Sequence, residues 1–323
     1  MKNIVIVGAG QLGSRHLQAL KTLDDAYNVF VIDTNQNSLS VSKERYNSMQ
    51  IPDKNNVKYY DNFEQLPKDI EILINATNSN NRREIIEKIL NFSNIKFMIL
   101  EKILFAKKDD YFFIGDLIKN KGVKTWVNFS MRDMDFYFNL KKDLPNKQII
   151  YQVVGSQYGL VTNAIHYLDH LVYLTDCKEF SIDTSLIDKN IIQSKRAGFN
   201  ELNGVLSANF KNGSRITICC YPFGNNPVVV EIISPDIRLF YKESEGKVLM
   251  SKGLNDWDWL EIDAPITYQS QRTNKLVSDL TLKGDCNLTK YEDSVLTHIQ
   301  LLDPLLSFIN NNSNNKLNYY PFT

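Results

Sequence analysis

The stretch that most restricts how this chain can fold is Gly8-Ala9-Gly10-Gln11-Leu12-Gly13. Ahead of it lies Asn3-Ile4-Val5-Ile6-Val7, a β-branched run of the length of a strand buried on both faces. Behind it, Leu12, Leu17, Leu20 and Leu23 recur at helical spacing, which predicts a helix over 14–23 with one apolar stripe. Between a strand and a helix each glycine has its own use. Gly8 permits a tight turn, Gly10 lets the backbone approach a bound group, and Gly13 lets the helix pack close to the sheet. The free N–H groups of the first helical turn match a pyrophosphate in charge and in acceptors. A second strand, Val29 to Ile32, ends at Asp33, 20 residues past Gly13. An acid at that distance accepts hydrogen bonds from ribose hydroxyls and repels a 2′-phosphate. Gly8, Gly10, Gln11, Leu12, Gly13 and Asp33 are therefore the candidate dinucleotide contacts, with NAD favoured over NADP.

The 323 residues suffice for two domains, each with its own core. Thirty-seven basic side chains balance 37 acidic ones, so no net field draws the protein to nucleic acid or to a membrane surface. No apolar run approaches the length of a bilayer span. The first methionine leads straight into a core strand without a signal-like stretch, so the expected compartment is the cytoplasm. Cys177, Cys219, Cys220 and Cys286 lack metal-ligand spacing, and buried reduced thiols are expected. Adjacent Cys219 and Cys220 should point to opposite faces of a strand.

Further strands are predicted at 57–60, 70–76, 97–100 and 124–129, with a helical turn at 62–66 and helices at 82–90 and 109–120. The alternation means a parallel sheet with helices on both faces. The loop at Thr77 leaves the carboxyl end of a strand, where open α/β sheets take ligands, and Thr77 joins the candidate contacts. Past residue 148 the pattern changes. One strongly apolar helix at 161–175 is followed by strand-like segments at 180–186, 201–210, 215–221, 228–234 and 237–241. Asn212-Gly213 marks a hairpin among them. A last helix is expected at 291–310, followed by a polar, mobile tail to 315. The architecture read from these elements is α/β. A doubly wound, Rossmann-type nucleotide-binding domain spans 1–127, and an α+β domain with a large, mostly antiparallel sheet spans 128–323.

Taken in order, Gly8-x-Gly10-x-x-Gly13-x-x-His16, Asp33, Ala76-Thr77, Glu101-Lys102, Asn128 with Arg132, and His166-x-x-Asp169 are similar to the Gfo/Idh/MocA oxidoreductases, the relatives of glucose–fructose oxidoreductase and inositol dehydrogenase. The resemblance runs over nearly the whole chain. It implies a dehydrogenase or reductase acting on CH–OH groups, moving a hydride between a nicotinamide and a sugar, cyclitol or nucleotide-linked sugar. It also implies that Lys102 lies beside the nicotinamide, that His166 is its acid/base partner, and that both converge on one side of the ring. Glu101 and Lys102 join the cofactor contacts. Lys102, Asn128, Arg132, Thr162, Asn163 and His166 become the candidate substrate contacts. No metal is needed. Relatives often pair through the exposed face of the second sheet, so the resemblance implies a homodimer or homotetramer, and the alternating segment 228–241 offers apolar Val229, Ile233 and Phe240 for such a contact.

The residues themselves leave blander readings open. Lys102 could be a surface lysine, His166 a satisfied histidine in an apolar helix, Asn128 a cap and Arg132 a surface arginine. Two departures from the family bear on the chemistry. Ile103 stands where the motif has proline, and a cis bond before a residue other than proline costs about 2.5–4 kcal/mol. Either a trans bond with a shifted Lys102 or a strained exception is expected. Thr162 stands where an aspartate is usual, four residues before His166, so that carboxylate is missing. His166 and His170 share a helix face, but Tyr167 follows where a zinc-protease helix carries glutamate, and no third ligand is evident. The competing functions are a reductase of a non-sugar substrate, such as a tetrapyrrole, and a nucleotide-binding sensor without turnover.

Overall fold

In chain order the elements are β1 (Asn3–Val7), α1 (Gln11–Leu20), β2 (Asn28–Ile32), α2 (Gln36–Asn47), β3 (Asn56–Tyr60), β4 (Asp69–Asn75), α3 (Arg82–Phe92), β5 (Asn94–Leu100), α4 (Lys108–Asn120) and β6 (Lys124–Val127). After them come α5 (Asp135–Asp143), β7 (Ile150–Ser156), α6 (Leu160–Thr175), β8 (Phe180–Asp183), β9 (Ile192–Gln193), β10 (Asn200–Glu201), β11 (Gly204–Phe210) and β12 (Arg215–Tyr221). The chain ends with β13 (Val229–Ile233), β14 (Ile237–Lys242), β15 (Lys247–Lys252), β16 (Trp259–Asp263), α7 (Thr273–Lys283), β17 (Thr289–Lys290) and α8 (Tyr291–Asn312). This computed structural model describes residues 1–144 and 147–323. They divide into one unit of Met1–Phe105, Asp109–Asn128 and Thr267–Tyr291, and a second of Ala106–Lys108, Phe129–Ile266 and Glu292–Thr323.

The sheet of the first unit has the order β17-β6-β5-β4-β1-β2-β3 and is parallel except for β17. Ile4, Val5, Ile6, Ile72, Leu73 and Ile74 are fully buried, as the unbroken apolar runs of a sheet covered on both faces require. Burial of each such side chain is worth about 1.5–3 kcal/mol before chain entropy is set against it. Leu17 and Leu20 of α1 enter a core shared with Leu276, Val277 and Leu280 of α7. The returning segment 267–291, grouped with the second domain from sequence, thus lies on the first unit and adds β17 beside β6. Helix α2 buries only Leu39, Ser42 and Tyr46, too little for an apolar period to announce it. Its local signal is Asn35, whose side chain accepts the Ser38 N–H at 3.2 Å as an N-cap. The helical turn expected at 62–66 is absent: bends and a short turn stand there instead.

The second unit has a sheet of order β16-β15-β14-β13-β7-β12-β11-β8, antiparallel except where β7 and β12 run parallel. Tyr151, Val153, Ile216, Ile218, Val230 and Ile232 alternate onto its buried face, and α6 packs on β12. Cys220 is buried and Cys219 half-buried, on opposite faces of β12. Asn311, Asn312, Asn314 and Asn315 of the expected tail are exposed, Asn310 at its start exchanges two hydrogen bonds with Leu317, and beyond it Tyr320 and Phe322 are each 1% exposed. No helix among the described residues is long and apolar enough to cross a membrane.

Candidate functional site

The glycine turn is held by backbone contacts. A Cβ on Gly8, where φ is +90°, would lie 2.9 Å from the Ala76 carbonyl carbon, and one on Gly13 would lie 1.7 Å from the Gly8 oxygen. Around Gly10, by contrast, a Cβ would meet nothing within 4 Å. Gly10 is also the N-cap of α1 and has no side chain to bond the first-turn N–H groups. The open side of the turn therefore offers uncapped donors at a helix N-terminus, which suits a pyrophosphate. Gln11 and Leu12, in the first turn, are exposed and half-buried. Asp33 is oriented by two backbone donors, Ala9 N–H to one carboxylate oxygen at 2.7 Å and Asn35 N–H to the other at 2.9 Å. Each oxygen keeps a lone pair for a ribose hydroxyl. Thr77 is positioned by Asn75, whose side-chain oxygen accepts both its hydroxyl at 2.6 Å and its N–H at 3.2 Å.

At the end of β5, Glu101 and Lys102 are 4% and 9% exposed, and the Lys102–Ile103 peptide bond is cis. Of the two alternatives posed by Ile103, the exception is the one found. Lys102 is thus no surface lysine. Glu101, expected as a cofactor contact, lies in a buried polar network whose members are distant in sequence. His16 bonds Glu101 through Nε2 at 2.9 Å and Thr273 through Nδ1 at 2.8 Å. Asn128 donates to Glu101 at 2.5 Å and to Gln269 at 2.8 Å, and Arg272 donates to Asn128 at 3.1 Å. Burial alone would raise the Glu101 carboxyl, but the His16 and Asn128 bonds outweigh it and hold it down to about 2. His16 was visible as part of the glycine motif. Gln269, Arg272 and Thr273 come from more than 140 residues beyond Asn128, and no local pattern marks them.

In the second unit α6 carries Thr162, Asn163 and His166, all half-buried. The His166 ring meets Phe129 edge-on, with centroids 5.6 Å apart. Glu201, a residue sequence reading passed over, reaches the start of α6. It accepts the Val161 N–H at 2.7 Å, the Thr162 N–H at 3.2 Å and the Thr162 hydroxyl at 2.7 Å. A carboxylate therefore does stand at Thr162, delivered by β10 rather than by α6. Asn163 donates to the Tyr158 and Gly159 carbonyls at 2.6 and 3.1 Å. Arg132 grips Asp169 with two bonds of 2.7 Å, so its charge is matched within this unit. His170 is fully buried, bonds the Tyr151 hydroxyl at 2.9 Å, and is pushed down to about 3 by burial and then by Arg132. It stays neutral near pH 7. No group of three or more His, Cys, Asp or Glu side chains among the described residues is arranged to hold a metal ion.

A mostly parallel sheet with a glycine turn and an acid at the end of its second strand, followed by a unit with a large, mostly antiparallel sheet, defines an α/β protein of two units. Residues 2–129 match the model of the Gfo/Idh/MocA oxidoreductase family, described by its NAD-binding Rossmann fold. Over this stretch, about two fifths of its length, the chain is similar to that family. No curated protein sequence matches the chain. Among solved structures it is similar to UDP-N-acetylglucosamine 3-dehydrogenase GnnA from Acidithiobacillus ferrooxidans, with 9% identity over 93% of this chain and 95% of that one and a TM-score of 0.70. Myo-inositol 2-dehydrogenase from Lactobacillus plantarum shows 15% identity over 96% and 97%, with a TM-score of 0.69. A super-repressor mutant of Gal80p from Saccharomyces cerevisiae shows 14% identity over 97% of each chain, with a TM-score of 0.70. At these identities the likeness is one of fold, and it extends over nearly the whole chain.

Proposed function

We propose that the protein is an NAD-dependent oxidoreductase of a sugar, a cyclitol or a nucleotide-linked sugar, acting on a CH–OH group in the cytoplasm. The observation that carries this reading is the pairing of an uncapped α1 N-terminus with an Asp33 carboxylate held by two backbone N–H groups. Gly8, Gly10, Gln11, Leu12 and Gly13 then hold the pyrophosphate, Asp33 the ribose, and Thr77, Glu101 and Lys102 line the nicotinamide half. When bound, the nicotinamide supplies the hydride acceptor or donor. Lys102 donates a hydrogen bond to the substrate oxygen as it becomes a carbonyl, and His166 takes the hydroxyl proton, or returns it in the reverse direction. Thr162 and Asn163 meet further hydroxyls. Asn128 and Arg132 spend hydrogen bonds on Glu101, Gln269 and Asp169, which supports a role in holding the site over one in gripping substrate.

The test is a fluorescence titration with NADH and, in parallel, NADPH, followed by a screen of sugars and nucleotide sugars by nicotinamide absorbance. Tighter binding of NADH is expected. Lys102→Ala and His166→Ala should each lower turnover by roughly 10²–10⁴-fold, with NADH affinity kept within a few-fold in His166→Ala and weakened in Lys102→Ala, whose side chain lines the nicotinamide half. Binding of neither nucleotide would end the reading. A second reading, a nucleotide-binding sensor without turnover, draws support from the tying of the Thr162 hydroxyl to Glu201 and from the fold likeness to a repressor. It predicts NADH binding with no turnover on any polyol.

A further inference from the structure

Arg82 opens α3 and is 1% exposed. Its Nη1 donates to the carbonyls of Ile103 at 2.5 Å and Leu104 at 2.7 Å, and its Nη2 donates to the carbonyl of Thr77. These carbonyls belong to two separate loops. Thr77 follows β4, while Ile103 and Leu104 follow β5, and the two strands are parallel neighbours whose carboxyl ends lie side by side. Removing a guanidinium from water is costly, so it is sustained only where several acceptors receive it. Arginine meets this need with a rigid planar fork, one arm to each loop; a lysine ammonium, a compact point charge, cannot reproduce the span. The far end of the second loop has its own anchor. The Tyr111 hydroxyl accepts the Phe105 N–H at 3.3 Å and donates to the Phe105 carbonyl at 3.1 Å. Tyr111 is in turn tied through its carbonyl to the Tyr291 hydroxyl at 2.7 Å. Arg82 is therefore the cross-link between the loops, placed beside the residue that follows Lys102.

We propose that Arg82 is a positioning residue that joins the Thr77 loop to the Lys102 loop, so that both walls of the nicotinamide half of the site are held as one piece. The inference rests on the nucleotide reading above, although the cross-link itself can be tested without it. A preformed pair of loops spares the ordering cost that binding would otherwise meet, so loosening it should weaken affinity more than it weakens the fold.

The experiment is peptide-resolved hydrogen exchange on the full-length protein and on Arg82→Lys, with NADH titration and thermal unfolding of both. The expected result is exchange at least tenfold faster in segments 77–80 and 102–106 together and an NADH Kd raised at least fivefold. Exchange in β1, β4 and β5 should stay unchanged, and the unfolding midpoint should move by only a few degrees. Unchanged protection in either segment would overturn the proposal, as would a uniform loss across the first unit, which marks a purely structural residue. Should Arg82→Lys fail to fold, exchange of the wild-type protein with and without NADH decides: the two segments must gain protection in step, and protection of one alone refutes the cross-link. Failure of wild-type protein to bind NADH would defeat the nucleotide reading. The apo comparison of the two segments would then still judge Arg82.

Discussion

Single residues differ sharply in how much change they tolerate, and the glycine turn shows it best. A Cβ on Gly13 meets the Gly8 carbonyl oxygen, a backbone atom that cannot swing aside. Gly13→Ala should therefore cost about 1–3 kcal/mol or more in a urea titration and, under the proposed function, abolish NADH binding. Gly10→Ala has open space, so it should keep the unfolding midpoint, and under the proposed function it should still weaken NADH, because the added methyl would take the place of the pyrophosphate. Equal damage from both changes would contradict this account. Glu243 is a different case. Burial pushes its carboxyl up to about 7 from the usual 4.5, against the opposing bond from the Tyr167 hydroxyl, and the hydroxyls of Tyr137, Tyr151 and Tyr241 crowd the same region. The folded protein thus holds a proton that the unfolded chain has released. The stability from Glu243 is complete below about pH 4.5 and is lost as pH rises to about 7. Glu243→Gln should match wild type near pH 4.5 and melt higher than wild type at pH 8. Melting curves that stay parallel across that range would refute the assignment.

At the scale of the element, α6 depends on a residue it does not contain. Its N-cap is Gly159 at φ +87°, which offers no capping side chain, and the first-turn donors are met by Glu201 from β10. A carboxylate there also faces the positive end of the helix. Glu201→Ala leaves the Val161 and Thr162 donors unmet and should cost about 1–3 kcal/mol in denaturant unfolding. Glu201→Gln, which keeps acceptors without charge, should cost less. If the alanine variant unfolds at the wild-type midpoint, Glu201 is no cap. Because α6 presents His166, the same substitution should disturb turnover under the proposed function.

At the scale of the molecule, the first unit is not finished when the chain first leaves it. Leu276, Val277, Leu280 and Leu288 complete its core, and Gln269, Arg272 and Thr273 complete the polar network around Glu101. A fragment of residues 1–128 should therefore show a broad, weakly cooperative unfolding transition by circular dichroism, and a sharp one would mean that the return segment is dispensable. In the second unit Val229, Ile233 and Phe240 are half-buried on the sheet face opposite Val230, Ile232 and Leu239, beside the exposed Trp259. If this face joins copies of the chain in the homodimer or homotetramer that the family resemblance implies, Phe240→Glu should sediment as a monomer. A wild-type protein that already sediments as a monomer would remove the proposal.

What the sequence determined by itself is the strand, glycine turn and helix at the amino terminus, the alternation that makes a parallel sheet, and the reach from Gly13 to Asp33. Each depends on spacing within a few turns or one βαβ unit, where side-chain direction repeats with a short period and leaves a readable pattern. The place of Lys102 at a strand end was legible, but its burial stayed open between a surface lysine and an enclosed one until the fold was seen. What only the tertiary structure decided are the partnerships of polar groups that share no period. Examples are the Thr273 hydroxyl on His16 across 257 residues, the Glu201 carboxylate on Thr162 across 39, and the Arg82 fork on two loops 26 residues apart at Thr77 and Ile103. Burial compels each such group to find a hydrogen-bond partner, yet it does not say which distant residue will supply it; the path of the chain through the folded sheet makes that choice.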